Sequence, residues 1–118
     1  MKRRKIFRQR FGLRRINAMV YEVQVHESAS KEIESLRVFD QRIVMDAIEK
    51  HLTHQPIVAA RRRKRLDSLT PQFEHVSPVW ELRVGDFRVF YDVDELTTIV
   101  HVRAVRFKRP GQTTEDIT

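Results

Sequence analysis

Arginine is the residue type of this sequence that is best suited to chemistry, because it recurs within the strand-like C-terminal half. Arg83, Arg88 and Arg103 each stand in a run of alternating apolar and polar residues, and residues 61–65 form a basic block of four arginines and one lysine. A guanidinium offers forked donors and a permanent charge, which suit phosphate. The pattern indicates an anion-binding surface, and solvated surface charges are the alternative.

A two-residue turn determines how the first two of these arginines meet. Gly85-Asp86 separates two strand-like runs and is typical of a tight β-hairpin with glycine at its first turn position. In that register Arg83 lies directly opposite Arg88 on one face of the hairpin. The other face carries large apolar residues and is expected to pack on helices. These residues are Trp80, Leu82, Val84, Phe87, Val89 and Tyr91.

The third strand-like run extends the row of arginines. If the turn at residues 93–98 continues the pairing with Val93 opposite Thr98, Arg103 lies opposite Arg88, and three arginines stand side by side on the open face. Like charges directly opposite each other destabilise a sheet. Such a row is either neutralised by carboxylates, for example Glu81 or Asp92, or holds an anion, and the sequence leaves both alternatives open.

The composition is that of one small domain. The chain has 118 residues, of which 41% are hydrophobic, which is enough for one core and excludes a wholly disordered protein. It has no cysteine, which excludes a disulfide scaffold and thiolate metal sites and is compatible with the cytoplasmic localisation that we expect. No apolar run approaches the roughly 18 residues that a membrane span needs.

The net charge of +7 is unevenly distributed along the chain. Residues 1–18 contain eight of the 23 basic side chains and no acidic one, so residues 19–118 carry 15 basic against 16 acidic side chains. We interpret residues 1–18 as a basic N-terminal extension, which is either disordered and solvated, phosphate-binding, or the product of a mis-assigned start before Met19. Residues 19–118 are expected to form a single domain.

The hydrophobic patterns predict an α+β fold. Alternation over residues 21–25 indicates a strand, and apolar spacings of three and four indicate a helical hairpin that ends before Pro56, with Asp40 capping its second helix. Residues 57–78 are expected to form a loop or a ragged edge strand. The expected fold is one sheet, made of the N-terminal strand and a three-stranded antiparallel meander, with the helices packed on one face. The meander strands are residues 79–84, 87–93 and 98–106.

A metal site is not indicated by the sequence. His51 and His54 are three residues apart near the end of the second predicted helix, a spacing that can bind a metal. No carboxylate or third histidine is placed to complete a site, and a histidine near a helix C-terminus already complements the helix dipole. We therefore expect neither a metal nor another cofactor.

The run V-W-E-L-R-V-G-D-F-R-V-F-Y-D-V at residues 79–93 resembles the RelE/ParE superfamily of toxins from type II toxin–antitoxin modules, and the resemblance covers about residues 19–109. It implies a RelE-like fold and a cognate antitoxin as partner. For the RelE branch it implies an mRNA interferase, a metal-independent endoribonuclease that cuts messenger RNA on the ribosome and inhibits translation. Arg88 and Arg83 are then the catalytic residues. The expected substrate-binding residues are Lys64, Arg65, Lys108 and Arg109 from the resemblance, and Arg103 from its place in the row.

The sequence departs from this family at the proton-transfer residues. Many relatives carry a tyrosine or histidine soon after the last strand, where this chain has Phe107 and neither residue type follows it. The general acid and base are therefore unassigned, although the predicted register places Glu81 and His101 on the open face. Two other functions stay open: a ParE-like, non-catalytic inhibitor of DNA gyrase, and a non-toxic nucleic-acid-binding relative that uses the basic extension.

Overall fold

A computed structural model of the chain describes residues 20–118 and the backbone of residues 5–7. These residues form one six-stranded sheet with two α-helices and a terminal 3₁₀ turn, so the predicted α+β class is confirmed. The strands are β1 (Lys5–Phe7), β2 (Glu22–Val25), β3 (Arg63–Leu66), β4 (Val79–Val84), β5 (Phe87–Asp94) and β6 (Ile99–Phe107). The helical elements are α1 (Glu27–Glu34), α2 (Val38–Leu52) and the 3₁₀ turn Glu115–Ile117.

The sheet has the strand order β1-β2-β6-β5-β4-β3, with the predicted meander at its centre. β2 runs parallel to β6, and all other neighbouring strands are antiparallel. A parallel pair needs a long crossover connection, and the two helices form the first part of it. The N-terminal strand thus joins the meander within one sheet, as predicted.

Each helix packs on the sheet through one apolar stripe. α2 buries Val44, Ile48 and Leu52, which recur every four residues and therefore lie along one side of the helix. α1 buries Ala29 and Ile33 in the same way. The strands contribute mostly valines and aromatic residues to this main core. The strand residues in the main core are Val23, Val25, Trp80, Leu82, Val84, Val89, Tyr91, Val100, Val102 and Val105.

The N-terminus of α2 differs from the prediction. The helix begins at Val38 with Arg37 as its N-cap, and Asp40 lies in the first helical turn. The Arg37 Nε donates to an Asp40 carboxylate oxygen at 3.0 Å. The prediction of Asp40 as the cap is wrong, because an acidic residue also stabilises the first turn through the helix dipole. Within residues 20–118, neither helix is long and apolar enough to cross a bilayer.

The two edges of the sheet come from segments that the sequence left uncertain. β3 is a four-residue edge strand within residues 57–78, which confirms the edge-strand alternative for that segment. At the other edge, β1 adds three residues of the basic extension to the sheet, with Lys5 opposite Val25. Residues 1–4 and 8–19 lie outside the described part of the chain. The interpretations of residues 1–18 as an arm or a mis-assigned start therefore stay predictions.

The face of the sheet opposite the helices, which we call the second face, is partly covered. Phe90 is fully buried on this face and packs with Phe73 from the loop before β4 and Ile117 from the 3₁₀ turn. The Gln72 N–H donates to the Thr118 carbonyl oxygen at 3.0 Å and joins the loop to the turn. The prediction of an open face is therefore wrong around Phe90, because the loop and the C-terminal segment bury its apolar ring.

Tyr91 connects the sheet to the loop that follows α2. Its side chain is fully buried, burial raises the pKa of its hydroxyl, and that hydroxyl donates to the Pro56 carbonyl oxygen at 2.6 Å. Tyr91→Phe leaves a buried carbonyl without its donor, so we expect the free energy of unfolding to fall by about 1–2 kcal/mol. Urea denaturation measures this change. Tyr21→Phe is the control, because the Tyr21 hydroxyl makes no hydrogen bond within residues 20–118, and equal effects of the two substitutions would contradict the prediction.

Candidate functional site

Four arginines lie next to one another across the second face and form what we call the arginine row. The hairpin register places Arg83 opposite Arg88, as predicted, and β6 places Arg106 on the other side of Arg88. Beyond Arg83, the Arg83 N–H donates at 2.8 Å to the carbonyl oxygen of Arg62, which directly precedes β3. The row therefore crosses four neighbouring segments of the chain.

Arg103 does not belong to the arginine row. A β-bulge shifts the β5–β6 register between Phe90 and Tyr91, so that Ala104 faces Phe90 while Val102 faces Tyr91. Arg103 occupies the extra position on β6 and has no counterpart in the ladder. The predicted pairing of Arg103 with Arg88 is therefore wrong.

The turn before β6 is also longer than predicted. Val93 faces Val100, two residues later than the expected partner. The Asp94 carboxylate accepts hydrogen bonds from the Leu96 and Thr97 N–H groups at 3.0 and 3.2 Å and so stabilises the longer turn. These hydrogen bonds, that of Thr97 first, hold the pKa of Asp94 below its usual value. The turn and the bulge together account for the error in the predicted register.

Between the bulge and the end of β6, each residue faces the side opposite to the one that simple alternation predicts. Because Arg103 was expected on the open face, simple alternation put its neighbour Ala104 on the helix face, whereas the structure puts Ala104 and Arg106 on the second face. Phe107 lies on the helix side with Phe87, and their ring centroids are 5.5 Å apart. Sequence reasoning missed Arg106 for this reason. The pairing of two aromatic residues at the strand ends is the signal that could have revealed it.

Arg88 is buried and neutralised within the protein. Its Nε lies 3.0 Å from Glu81 Oε2, and its Nη1 donates to the carbonyl oxygens of Gly85 and Phe87 at 2.8 and 2.9 Å. Arg88 is 8% exposed and Glu81 is 6% exposed. Glu81, one of the two carboxylates that the sequence suggested for this purpose, therefore neutralises Arg88 at the centre of the row.

A second buried ion pair joins Arg103 to Asp92. The Arg103 Nε and Nη2 donate to Asp92 Oδ2 and Oδ1 at 2.8 and 3.2 Å, which is a two-pronged contact. The Val76 N–H donates to the same carboxylate at 3.0 Å. Arg103 is thus fixed within the fold, away from the arginine row.

Arg106 is half-buried and packed from three sides. Its Nε lies 2.8 Å from Glu32 Oε2 without a well-directed N–H bond, and its Nη1 donates to the Ile117 carbonyl oxygen at 2.8 Å. Its guanidinium carbon lies 5.6 Å from the centre of the Phe73 ring. Glu32 also accepts the Val105 N–H at 2.8 Å and so fastens α1 to β6.

The other end of the arginine row opens into a cleft of about 50 Å³, which we call the cationic cleft. It is lined by Arg61, Arg62, Lys64, Arg83 and Glu81. The four cations are exposed, and none of them forms an ion pair with another residue in the range 20–118. Convergent cations of this kind favour binding of a phosphate group.

Two of the predicted substrate-binding residues are adjacent in sequence but lie on different faces. Lys64 lies opposite Glu81 and borders the cationic cleft. Arg65 lies opposite Trp80, so its side chain belongs to the other face, where its Nε pairs with Asp67 Oδ1 at 2.6 Å. The structure therefore brings Lys64, but not Arg65, into the cleft.

The predicted basic pair after β6 lies outside the lining of the cleft. The Lys108 N–H donates to the Asp86 carbonyl oxygen at 2.8 Å, which places Lys108 beside the β4–β5 turn. The Arg109 guanidinium carbon lies 5.7 Å from the centre of the Phe107 ring. Their roles in substrate binding stay predictions.

The histidines lie away from the cationic cleft. His101 lies opposite Asp92, and its Nδ1 is 2.8 Å from Nε2 of His26. Burial and, second, the charge of Arg63 lower the pKa of His51. Among the described residues, no group of three or more histidine, cysteine, aspartate and glutamate side chains is placed to hold a metal ion.

The buried Arg103–Asp92 pair allows a direct test of neutralisation. Arg103→Met leaves the Asp92 carboxylate buried without its counter-charge, so we expect the free energy of unfolding to fall by about 3–5 kcal/mol. The exposed pair of Arg65 and Asp67 is the matched control, and Arg65→Met is expected to cost less than about 1 kcal/mol. Denaturant unfolding of both variants measures the difference. Equal losses would show that burial does not set the strength of this pair.

Known proteins with a similar sequence pattern or a similar fold agree with the architecture described above. A family model described as the ParE toxin of the type II toxin–antitoxin system parDE matches residues 23–107. No curated protein sequence is significantly similar to the chain. Among solved structures, the RelBE2 toxin–antitoxin complex from Mycobacterium tuberculosis is similar, with 20% identity, a TM-score of 0.60, and 76% of this chain and 100% of that chain covered. The RelE–RelB complex from the archaeon Pyrococcus horikoshii OT3 has 21% identity and a TM-score of 0.57, covering 79% of this chain and 100% of that chain.

These likenesses differ in what they show. The two solved structures share the fold of this chain. The family match runs from β2 to the end of β6, and it includes both helices, the hairpin and the whole lining of the cationic cleft. The resemblance seen in the sequence is thereby confirmed. The chain belongs to the ParE-type toxins of type II toxin–antitoxin systems.

Proposed function

We propose that this toxin is a metal-independent endoribonuclease that inhibits translation by cutting messenger RNA on the ribosome. The observation that carries the proposal is the cationic cleft, which Arg61, Arg62, Lys64 and Arg83 line together with Glu81. Cleavage of RNA by its own 2′-hydroxyl needs cations that stabilise the charged phosphorane and a group that accepts the hydroxyl proton. The cleft contains both kinds of group.

Arg83 and Arg88 have different roles in this proposal. Arg83 is exposed at the cleft and contacts the phosphate that is attacked. Arg88 is buried and engaged by Glu81 and two carbonyl oxygens, so it acts by fixing Glu81. Lys64 and the arginines before β3 hold the neighbouring RNA backbone, because their exposed charges border the same cleft.

A cognate antitoxin is the second proposed partner. Both similar solved structures are complexes of a toxin with its antitoxin. The exposed cations of the cleft are complementary to an acidic or amphipathic antitoxin segment. Such a segment covers the cleft and excludes messenger RNA from it. Ribosomes and messenger RNA as targets place the action in the cytoplasm.

One observation favours a second function, inhibition of DNA gyrase without catalysis. Arg88 and Arg103, two of the three arginines in the predicted row, are neutralised internally by Glu81 and Asp92. In this alternative the ion pairs are structural, and the exposed cations of the cleft bind a surface of gyrase or its DNA. The two functions differ in their products, because only the endoribonuclease creates new ends inside messages.

Replacement of Arg83 tests the proposed function. We expect Arg83→Ala to slow messenger RNA cleavage by about 100-fold or more, because a charge-stabilising donor is lost from the transition state. Each variant is expressed without antitoxin, growth is followed, and RNA ends are mapped across the transcriptome. Arg42→Ala, which removes an exposed arginine from α2, is the control and is expected to behave as the unsubstituted protein does.

The same experiment separates the two functions. New ends inside reading frames that depend on Arg83 support the endoribonuclease. Intact messages in arrested cells contradict it, and gyrase-dependent DNA breaks in those cells establish the alternative. Equal arrest by Arg83→Ala and the unsubstituted protein contradicts a role of Arg83 in either function.

A further inference from the structure

We infer that Glu81 is the general base of this toxin, an inference that rests on the endoribonuclease activity proposed above. Glu81 lies within β4, directly opposite Lys64 of β3, and borders the cationic cleft. The sequence left the proton acceptor unassigned, because no tyrosine or histidine follows Phe107. Glu81 is the one carboxylate among the described residues that line the cleft.

The two carboxylate oxygens of Glu81 have different surroundings. Oε2 lies 3.0 Å from the Nε of Arg88, which is itself held by the carbonyl oxygens of Gly85 and Phe87. Oε1 accepts a hydrogen bond from Thr114 Oγ1 at 3.4 Å, which is long for a hydroxyl donor. One oxygen is therefore anchored, while the other makes a weak contact that a substrate hydroxyl can replace.

The carboxylates paired with the two arginines of β6 are placed differently. Asp92 accepts hydrogen bonds from Arg103 through both of its oxygens. Glu32 lies against Arg106 through Oε2 and accepts the Val105 N–H through Oε1 at 2.8 Å. Both oxygens of each carboxylate are engaged in short contacts, so neither is placed to accept a substrate proton.

The other charged groups that face Glu81 are cations. Lys64 faces it from β3, Arg88 from β5, and Arg83 from the same strand. Guanidinium groups do not release their protons in proteins, and an ammonium group is a donor. His101 lies on β6, which is two strands away from Glu81 in the sheet. The cations bind and polarise the phosphate, and the carboxylate accepts the proton.

The reaction step balances with the groups named. The 2′-O–H bond breaks and its proton passes to Glu81 Oε1, while the 2′-oxygen forms a bond to the adjacent phosphorus. The bond from phosphorus to the 5′-oxygen breaks, which gives a 2′,3′-cyclic phosphate and a 5′-oxygen that takes a proton from water. Glu81 then returns its proton to solvent. Arg83 lies beside the phosphate and stabilises the charge that develops on it.

Glu81→Gln tests this assignment. The amide has nearly the same shape and keeps an oxygen for Arg88, but it does not accept the substrate proton. Single-turnover cleavage of a defined messenger RNA bound to purified ribosomes is measured from acid to neutral pH. A general base acts only in its deprotonated form, so the unsubstituted protein is expected to lose activity in acid. Glu81→Gln is expected to slow cleavage by about 10²–10⁴-fold and to lack that acid limb.

Glu32→Gln is the matched control, because it also replaces a glutamate that is paired with an arginine of the arginine row. It is expected to keep both the cleavage rate and the acid limb. Circular dichroism is used to check that each variant is folded. If Glu81→Gln does not fold, Glu81→Asp replaces it and is expected to cleave more slowly with the acid limb retained.

The outcomes separate this inference from the proposed function. Cleavage by Glu81→Gln or Glu81→Asp at the unsubstituted rate overturns the role of Glu81, as does slower cleavage by Glu81→Gln with an unchanged acid limb. In these cases the endoribonuclease activity itself stands. The absence of any cleavage by the unsubstituted protein overturns both the proposed function and this assignment.

Discussion

Each guanidinium that is buried on the second face meets a carboxylate, and this requirement shapes that face. A charge removed from water without a partner is strongly unfavourable, and like charges opposite each other in a sheet repel. The protein satisfies both constraints with carboxylates from three elements: Glu81 of β4, Asp92 of β5 and Glu32 of α1. Because Glu32 reaches from α1 to an arginine of β6, neutralisation of charge also joins a helix to the sheet.

Neutralisation stops at one end of the arginine row, and this determines where an anion can bind. Arg62 and Arg83 are exposed beside Arg61 and Lys64, and these four cations form no ion pair with another residue in the range 20–118. Residues 19–118 contain nearly equal numbers of acidic and basic side chains, so the summed charge of these residues does not attract an anion to this place. The positive potential at the cleft is local, because the carboxylates pair with other arginines and leave these four cations without a counter-charge within residues 20–118.

The parts of the fold that depend on local signals could be predicted from the sequence, and those that depend on distant contacts could not. Gly85 has a φ of 59°, which favours glycine, and the turn that it forms set the correct hairpin register. The β6 register depends on a bulge whose extra residue, Arg103, pairs with Asp92, and a polarity pattern does not contain such a contact. The burial of Phe90 was not predicted either, because the C-terminal segment that brings Ile117 to it has no periodic pattern.

The candidate site shows the same division. Arg83 and Lys64 were predicted by the hairpin register and the family resemblance, whereas Arg106 lay beyond the bulge and was missed. For Glu81 the sequence left two alternatives, a neutralising carboxylate or a proton acceptor, and in the structure these are not exclusive. The ion pair with Arg88 stabilises the arginine within the sheet and, through the same contact, fixes one carboxylate oxygen. The interaction that makes the row of like charges tolerable therefore also fixes the carboxylate whose remaining oxygen we propose as the proton acceptor.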